Sequence, residues 1–158
     1  MGRLKPKYIV VHCSDSPFGN AGMIRQWHLE RGWNDIGYHF VIGNGYPENS
    51  SDYLFDYNGS LEIGRSIKLS GSHCRGMNST SIGICLIGVD EFTEEQYDTL
   101  FDTVVDLMEK YNIPVENVIG HNETKSGQKQ GKTCPNFNVE ELRVSIEGEF
   151  IYPHNFVE

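Results

Sequence analysis

The sequence predicts a single α/β domain in which a central mixed β-sheet is flanked by helices. Short segments with the composition of buried strands alternate along the chain with segments whose apolar residues recur at helical spacing. The chain has 158 residues and no visible repeat or linker, which suits one sizeable core better than two. We therefore expect one domain over residues 1–158, with its core at about 7–150, and a partly parallel sheet.

Four segments carry the apolar and β-branched residues that predict strands. These strands cover residues 7–13, 38–42, 81–88 and 115–120. Two further short strands are expected around Asn58-Gly59, because this dipeptide supplies the positive φ angles of a tight hairpin turn. Residues 43–52 are rich in Gly, Asn and Ser and predict a loop.

Three helices are predicted from apolar residues at helical spacing. They cover residues 22–31, residues 93 to about 111, and residues 139–150. Gly32 closes the first helix. Thr93 begins the second, and the Glu94, Glu95 and Gln96 that follow it are typical of a capping box.

The bulk composition excludes some classes of function. The formal net charge is −9, which argues against a nucleic-acid-binding protein, because such proteins present a basic face. No apolar run has the length of a signal peptide or of a membrane span. We expect synthesis in the cytoplasm without stable membrane insertion. In that reducing compartment Cys13, Cys74 and Cys85 are predicted to be buried thiols.

Two histidines and a late cysteine point towards metal chemistry. His12 ends the first predicted strand, His121 ends a later one, and Cys134 follows 13 residues after His121. Two imidazoles and one thiolate suit zinc, and three protein ligands leave one tetrahedral position for water, as in catalytic sites. A histidine at a strand end is also a common surface residue, and no compact metal motif is present. The residues alone leave both interpretations open.

A series of motifs matches one known family in order along the chain. The series begins with Val11-His12-Cys13-Ser14. It continues with the blocks 24–28, 32–33, 36–40, 62–65, 71–74, 78–84, 120–121 and 132–135. Together these blocks resemble the type-two N-acetylmuramoyl-L-alanine amidases, which include phage lysozyme-type amidases and the animal peptidoglycan-recognition proteins.

The resemblance implies an enzyme that hydrolyses the bond between N-acetylmuramic acid and L-alanine in bacterial peptidoglycan. It implies that one zinc ion is held by His12, His121 and Cys134. It also implies that Tyr38 and Lys132 are catalytic. The expected chemistry is attack by an activated water, with fixed donors or a cation stabilising the developing oxyanion.

Other positions are assigned lesser roles. The resemblance implies that His73 and Asn78 line the substrate groove. Glu123 is an alternative base, although a surface role is the simpler interpretation. Likewise Arg65 could meet a peptide carboxylate or form a surface ion pair. His28, beside Trp27 on a predicted helix, is expected to be a packing residue, and His39 is expected to be buried and hydrogen-bonded.

The chain also departs from the family pattern. The hairpin region 40–59 and the loop 121–134 are longer than usual, and Asn138 stands where an aspartate commonly follows the Cys-Pro block. The compact length is typical of a phage or prophage endolysin, a monomer that acts on the wall after release. Two alternatives are a binding module that does not cut peptidoglycan and an amidase that also inhibits a polymerase. Cys134 argues against the first, because non-catalytic relatives typically lack this thiolate.

Overall fold

The computed structural model describes residues 2–151, and within them five strands form one sheet with the order β3-β2-β4-β1-β5. The strands are β1 (Tyr8–Cys13), β2 (Phe40–Asn44), β3 (Asn58–Ile63), β4 (Ser81–Leu86) and β5 (Val118–Gly120). Only the β2–β3 pair is antiparallel within this sheet. The predicted mixed sheet is therefore confirmed. Residue 1 and residues 152–158 of the predicted domain lie outside the described residues.

Helices cover both faces of the sheet. They are α1 (Ala21–Glu30), α2 (Glu94–Tyr111), α3 (Lys125–Lys129) and α4 (Val139–Ile151). The predicted capping box begins α2, since the Thr93 hydroxyl accepts the Gln96 N–H at 3.0 Å and the Gln96 side chain accepts the Thr93 N–H at 2.9 Å. At the start of α4, Asn138 accepts the N–H of Glu140. This capping contact gives Asn138 a local structural role.

The alternation of side chains along the strands divides the core in two. On one face, Ile9 and Val11 of β1 pack with apolar residues of α2 and α4. On the other face, Cys85 of β4 packs with Ile24 of α1. Because successive strand residues point to opposite faces, His12 is on the α1 side of the sheet. No helix within residues 2–151 is both long and apolar enough to cross a membrane.

Three local predictions were wrong. Asn58-Gly59 is not a hairpin turn, because Asn58 begins β3 and the partner of that strand is β2, with a register shift between Ile42 and Asn44. The segment 115–120 is a strand only from Val118, after a turn of 3₁₀ helix. The stretch between His121 and Cys134 contains α3, whose first turn is capped by Thr124. The first difference arises because β3 pairs with β2, which is a non-local contact. The other two arise from local hydrogen bonds that apolar periodicity does not record.

Candidate active site

The predicted metal ligands meet because two neighbouring strands end together. Strands β1 and β5 are parallel, and Val11 pairs with Gly120. The next residue of each chain segment is a histidine, so His12 and His121 lie side by side, with ring centroids 4.6 Å apart. Ligand sites of open parallel sheets are expected at these carboxyl ends of the strands. A cleft of about 710 Å³ opens there, and it is lined by both histidines.

Cys134 completes the cluster from the far end of the chain. The ligand atoms of His12, His121 and Cys134 all lie within 4.8 Å of one another. Zinc bonds of about 2.0–2.3 Å separate tetrahedral ligand atoms by about 3.5 Å, so movements of about 1 Å would bring all three onto one ion. The Cys134 carbonyl accepts the Asn122 N–H at 2.9 Å, which ties the segment to the residue after His121.

The protonation chemistry of this cluster suits a cation. Burial, and to a lesser extent the charges of His73 and His121, hold the pKa of His12 well below its ordinary value, so its imidazole is neutral and keeps a lone pair. The neighbouring Cys13 thiol and burial raise the pKa of Cys134. The Cys13 N–H, 2.9 Å from the Cys134 sulfur, favours the thiolate. A positive ion at the cluster would complete the stabilisation of that thiolate.

Tyr38 lies just before β2 and faces the same cluster. Its ring centroid is 5.0 Å from that of His12 and 5.6 Å from that of His28. Burial is the main cause that raises the pKa of the Tyr38 hydroxyl well above its ordinary value, and the nearby Cys85 and Cys134 raise it further. The hydroxyl therefore keeps its proton at neutral pH and can donate a hydrogen bond or that proton. A neutral phenol suits a donor better than a general base.

Lys132 supplies an exposed cation at the rim of the cleft. Its backbone N–H donates to the Gly127 carbonyl at 2.8 Å, which holds this part of the loop against α3. Burial is the main cause of the lowered pKa of His121, and the positive charge of Lys132 is the second cause. The Lys132 ammonium is thus electrostatically coupled to the cluster. A group that stabilises a developing oxyanion needs such a position.

The two predicted groove residues are both part of the cleft lining, and both make contacts within the protein. Nδ1 of His73 lies 2.9 Å from Nε2 of His12. Burial lowers the pKa of His73 to about 3. Asn78 accepts the backbone N–H groups of His73 and Cys74 at 2.8 and 2.9 Å.

The sequence pattern of one protein family, N-acetylmuramoyl-L-alanine amidase, matches residues 2–137. The chain belongs to this family. It is accordingly an amidase of peptidoglycan, and the enzymatic class expected from its motifs is confirmed.

Individual relatives of the amidase include phage and animal proteins. The endolysin of Escherichia phage T7 is 37% identical over 142 residues, which cover 83% of this chain and 81% of the phage protein. Peptidoglycan-recognition protein LB of Drosophila melanogaster is 30% identical over 139 residues, which are 78% of this chain and 54% of that protein. The structure of the amidase LysC from Clostridium intestinale URNW has a TM-score of 0.75 at 28% identity and covers 91% of this chain and 87% of its own.

Sequence reasoning missed some cleft residues of the amidase. Arg31, Trp33 and Arg75 all line the cleft. The guanidinium of Arg31 lies 5.8 Å from the Trp33 ring centroid, within the range of a cation–π contact. The cleft is therefore rich in cations although the whole chain carries a net charge of −9. Trp33 lies within a matched motif, which could have drawn attention to it, whereas nothing in the sequence singled out Arg75.

Two alternatives from the sequence are settled by contacts in the amidase. Arg65 is 3% exposed and forms no surface ion pair with the residues that the structure describes, because its guanidinium donates to the carbonyls of Asp35, Ile36 and Ser70. Glu123 has the surface role, because its carboxylate forms an ion pair with Arg143 at 2.8 Å and accepts the Gly120 N–H at 2.8 Å.

The buried histidines match their predicted roles. His28 accepts the Gly37 N–H, and His39 accepts the Gly83 N–H while its other nitrogen lies 2.8 Å from the Leu69 carbonyl. Both side chains are buried.

Proposed function

We propose that this amidase requires one zinc ion, cleaves the bond between N-acetylmuramic acid and L-alanine, and acts as a phage or prophage endolysin. The observation that carries the proposal is the convergence of His12, His121 and Cys134 within 4.8 Å at the end of the sheet. Their donor set of two imidazoles and one thiol is that of a zinc site with an open position.

Each residue of the site has a chemical role in this proposal. When bound, zinc supplies Lewis acidity, which polarises the scissile carbonyl and lowers the pKa of a water to about 7. The Tyr38 phenol, which keeps its proton, orients the amide and donates to it. The Lys132 ammonium at the rim stabilises negative charge that develops on the carbonyl oxygen. The neutral imidazoles of His12 and His121 hold the ion.

The endolysin assignment draws on the relatives and on the charge of the cleft. The phage T7 endolysin is similar over 83% of this chain. An acidic protein gains no long-range attraction to an anionic wall, so recognition has to be local. Arg31, Arg75 and Lys132 supply that local positive charge, and Asp15 is the single carboxylate among the described residues that line the cleft. Binding of peptidoglycan by His73 and Asn78 and a monomeric state remain predictions.

The decisive experiment identifies the bond that is broken. Purified peptidoglycan is digested with the protein, and mass spectrometry of the products is combined with labelling of new amino termini. We expect free L-alanine amino termini and intact glycan chains. Treatment with a chelator should abolish the release, and added zinc should restore it. Products cut within the glycan or within the peptide stem would contradict the proposal, as would full activity in the metal-free protein.

A pair of cysteine variants separates the zinc requirement from general damage. Cys134→Ser removes the proposed thiolate ligand, so we expect it to lose both bound zinc and amidase activity. Cys74→Ala is the matched control, since Cys74 is buried and is not one of the three clustered ligands. It should retain one zinc ion and near-normal activity. A Cys134→Ser protein that still cuts peptidoglycan normally would refute the assignment.

Binding without cleavage is the competing function. It predicts that the protein sediments with purified walls while no new amino termini form. The digestion experiment therefore distinguishes both functions with a single preparation.

A further inference from the structure

His73 lies beside the three clustered ligands without being one of them. Its Nδ1 is 2.9 Å from Nε2 of His12. Its Nε2 is 3.3 Å from the carbonyl oxygen of Ser81 and 3.4 Å from the Ser81 hydroxyl. Both ring nitrogens thus have partners inside the protein. A substrate contact through the His73 ring would require one of these contacts to break.

The hydrogen-bond partners fix the direction of each bond. The Ser81 carbonyl can only accept, and the Ser81 hydroxyl uses its proton to donate to the Met77 carbonyl at 2.6 Å. Within residues 2–151, only acceptors therefore face Nε2 of His73, so this nitrogen carries the proton. Nδ1 of the neutral ring is then an acceptor, and Nε2–H of His12 donates to it. Nδ1 of His12 is left with its lone pair.

The fold provides a closely fitted slot for the His73 ring. A Cβ atom added to Gly83 in β4 would lie 2.6 Å from Cγ of His73, and one added to Gly71 would lie 2.5 Å from its Cδ2. Neither position accommodates a side chain while the ring is in place. Asn78 accepts the His73 backbone N–H at 2.8 Å and so fixes the segment that carries the ring.

We propose that His73 is a positioning residue that holds His12 in the orientation and tautomer whose Nδ1 binds the zinc ion. The inference rests on the zinc-dependent function proposed above and concerns the support of one ligand. Hydrogen bonds of this kind orient a ligating imidazole and increase its basicity. The chain of bonds runs from the Ser81 carbonyl through His73 to His12.

Two variants of similar shape test the role of the Nδ1 acceptor. In His73→Asn the amide oxygen can take the place of Nδ1, whereas His73→Leu has the same branching and no acceptor. The zinc dissociation constant is measured without substrate, by competition with a chromophoric chelator. We expect His73→Leu to bind zinc about 10–100-fold more weakly than the unmodified protein. His73→Asn should recover most of that loss. The melting temperatures of the metal-free variants control for folding.

Three outcomes of the competition measurement would contradict the proposal in different ways. Unchanged zinc affinity in His73→Leu, with an increased KM for peptidoglycan fragments, would make His73 a substrate contact. Equal weakening in both variants would show that the acceptor is irrelevant. Failure of the unmodified protein to bind zinc would overturn the zinc requirement itself, and the positioning role with it.

A spectroscopic measurement on the unmodified protein needs no variant. Long-range ¹H–¹⁵N correlation spectra identify which nitrogen of each imidazole carries the proton. For the zinc-loaded protein we expect Nε2–H for both His12 and His73. A proton on Nδ1 of His73, or zinc bound through Nε2 of His12, would refute the proposed chain of hydrogen bonds even if His73→Leu does not fold.

Discussion

Replacing Arg65 with Met should destabilise the amidase more than its position outside the active site suggests. The guanidinium donates to the carbonyls of Ile36 at 2.8 Å, Ser70 at 2.7 Å and Asp35 at 3.3 Å. These bonds join the segment that leads to Tyr38 to the segment that leads to His73. Methionine retains the apolar stem and leaves those carbonyls without their donor.

The magnitude follows from the two shorter bonds. A hydrogen bond to a charged group contributes about 1.5–3 kcal/mol, and an unsatisfied buried acceptor costs a similar amount. Removal of the cation also removes its desolvation penalty, which offsets part of the loss. We expect a net decrease of about 3 kcal/mol in the free energy of unfolding. For a domain of this size that corresponds to a decrease in melting temperature of about 6–12 °C.

The assay is urea unfolding followed by circular dichroism, with Arg25→Met as the matched control. Arg25 forms an ion pair with Asp35 at 2.7 Å, but its side chain is 39% exposed. Such surface pairs contribute about 0–1 kcal/mol, so the control should lose little. The midpoint for Arg65→Met should decrease without a change in the denaturant slope. A loss below about 1 kcal/mol, or one equal to that of Arg25→Met, would refute the reasoning.

Three further predictions address other parts of the molecule. Glu123→Gln should lose about 1 kcal/mol at neutral pH, since Glu123 is partly exposed. The hydrogen bond from Arg143 lowers the pKa of the Glu123 carboxyl. The stabilisation that Glu123 provides is present above the ordinary glutamate pKa and is lost as the pH falls through the lowered pKa of this carboxyl. The melting curves of Glu123→Gln and the unmodified protein should therefore converge in acid. A difference that stays constant with pH would contradict this. Thr93→Ala removes the cap of α2 and should lower the free energy of unfolding, measured by urea titration, by about 1 kcal/mol. An unchanged free energy of unfolding would show that the cap does not stabilise the protein. Lys132→Met should bind zinc normally, but its kcat in a peptidoglycan-release assay should be about 100-fold lower than that of the unmodified protein. Lys129→Met is the control and should behave like the unmodified protein. Equal kcat in both variants would exclude the oxyanion role of Lys132.

Much of the fold could be predicted because it depends on local patterns. The apolar strands around Val10 and Ile84 and the capped helix from Thr93 form as expected, since periodicity and capping chemistry act over a few residues. The prediction at Asn58-Gly59 failed for the opposite reason. A tight turn needs two strands to pair across it, and β3 pairs with β2 instead. Strand pairing is decided by non-local contacts, which a dipeptide does not encode.

The candidate site, like the fold, could be predicted from the sequence only in part. The residue types of His12, His121 and Cys134 indicate a metal, and the order of motifs along the chain indicates the family. The register of β1 against β5 brings the two histidines together, and the cleft then gathers residues such as Arg75 that no motif marks.

The sequence by itself determined the chemistry that is available and the elements that carry it, because residue type and local periodicity are properties of short segments. Only the tertiary structure decided which partners those groups have. The contact between His73 and His12 joins residues 61 positions apart, and the buried donors of Arg65 reach carbonyls in two separate segments. Such contacts form when the sheet and its loops pack together, since a buried polar group must find its partner wherever the fold places one.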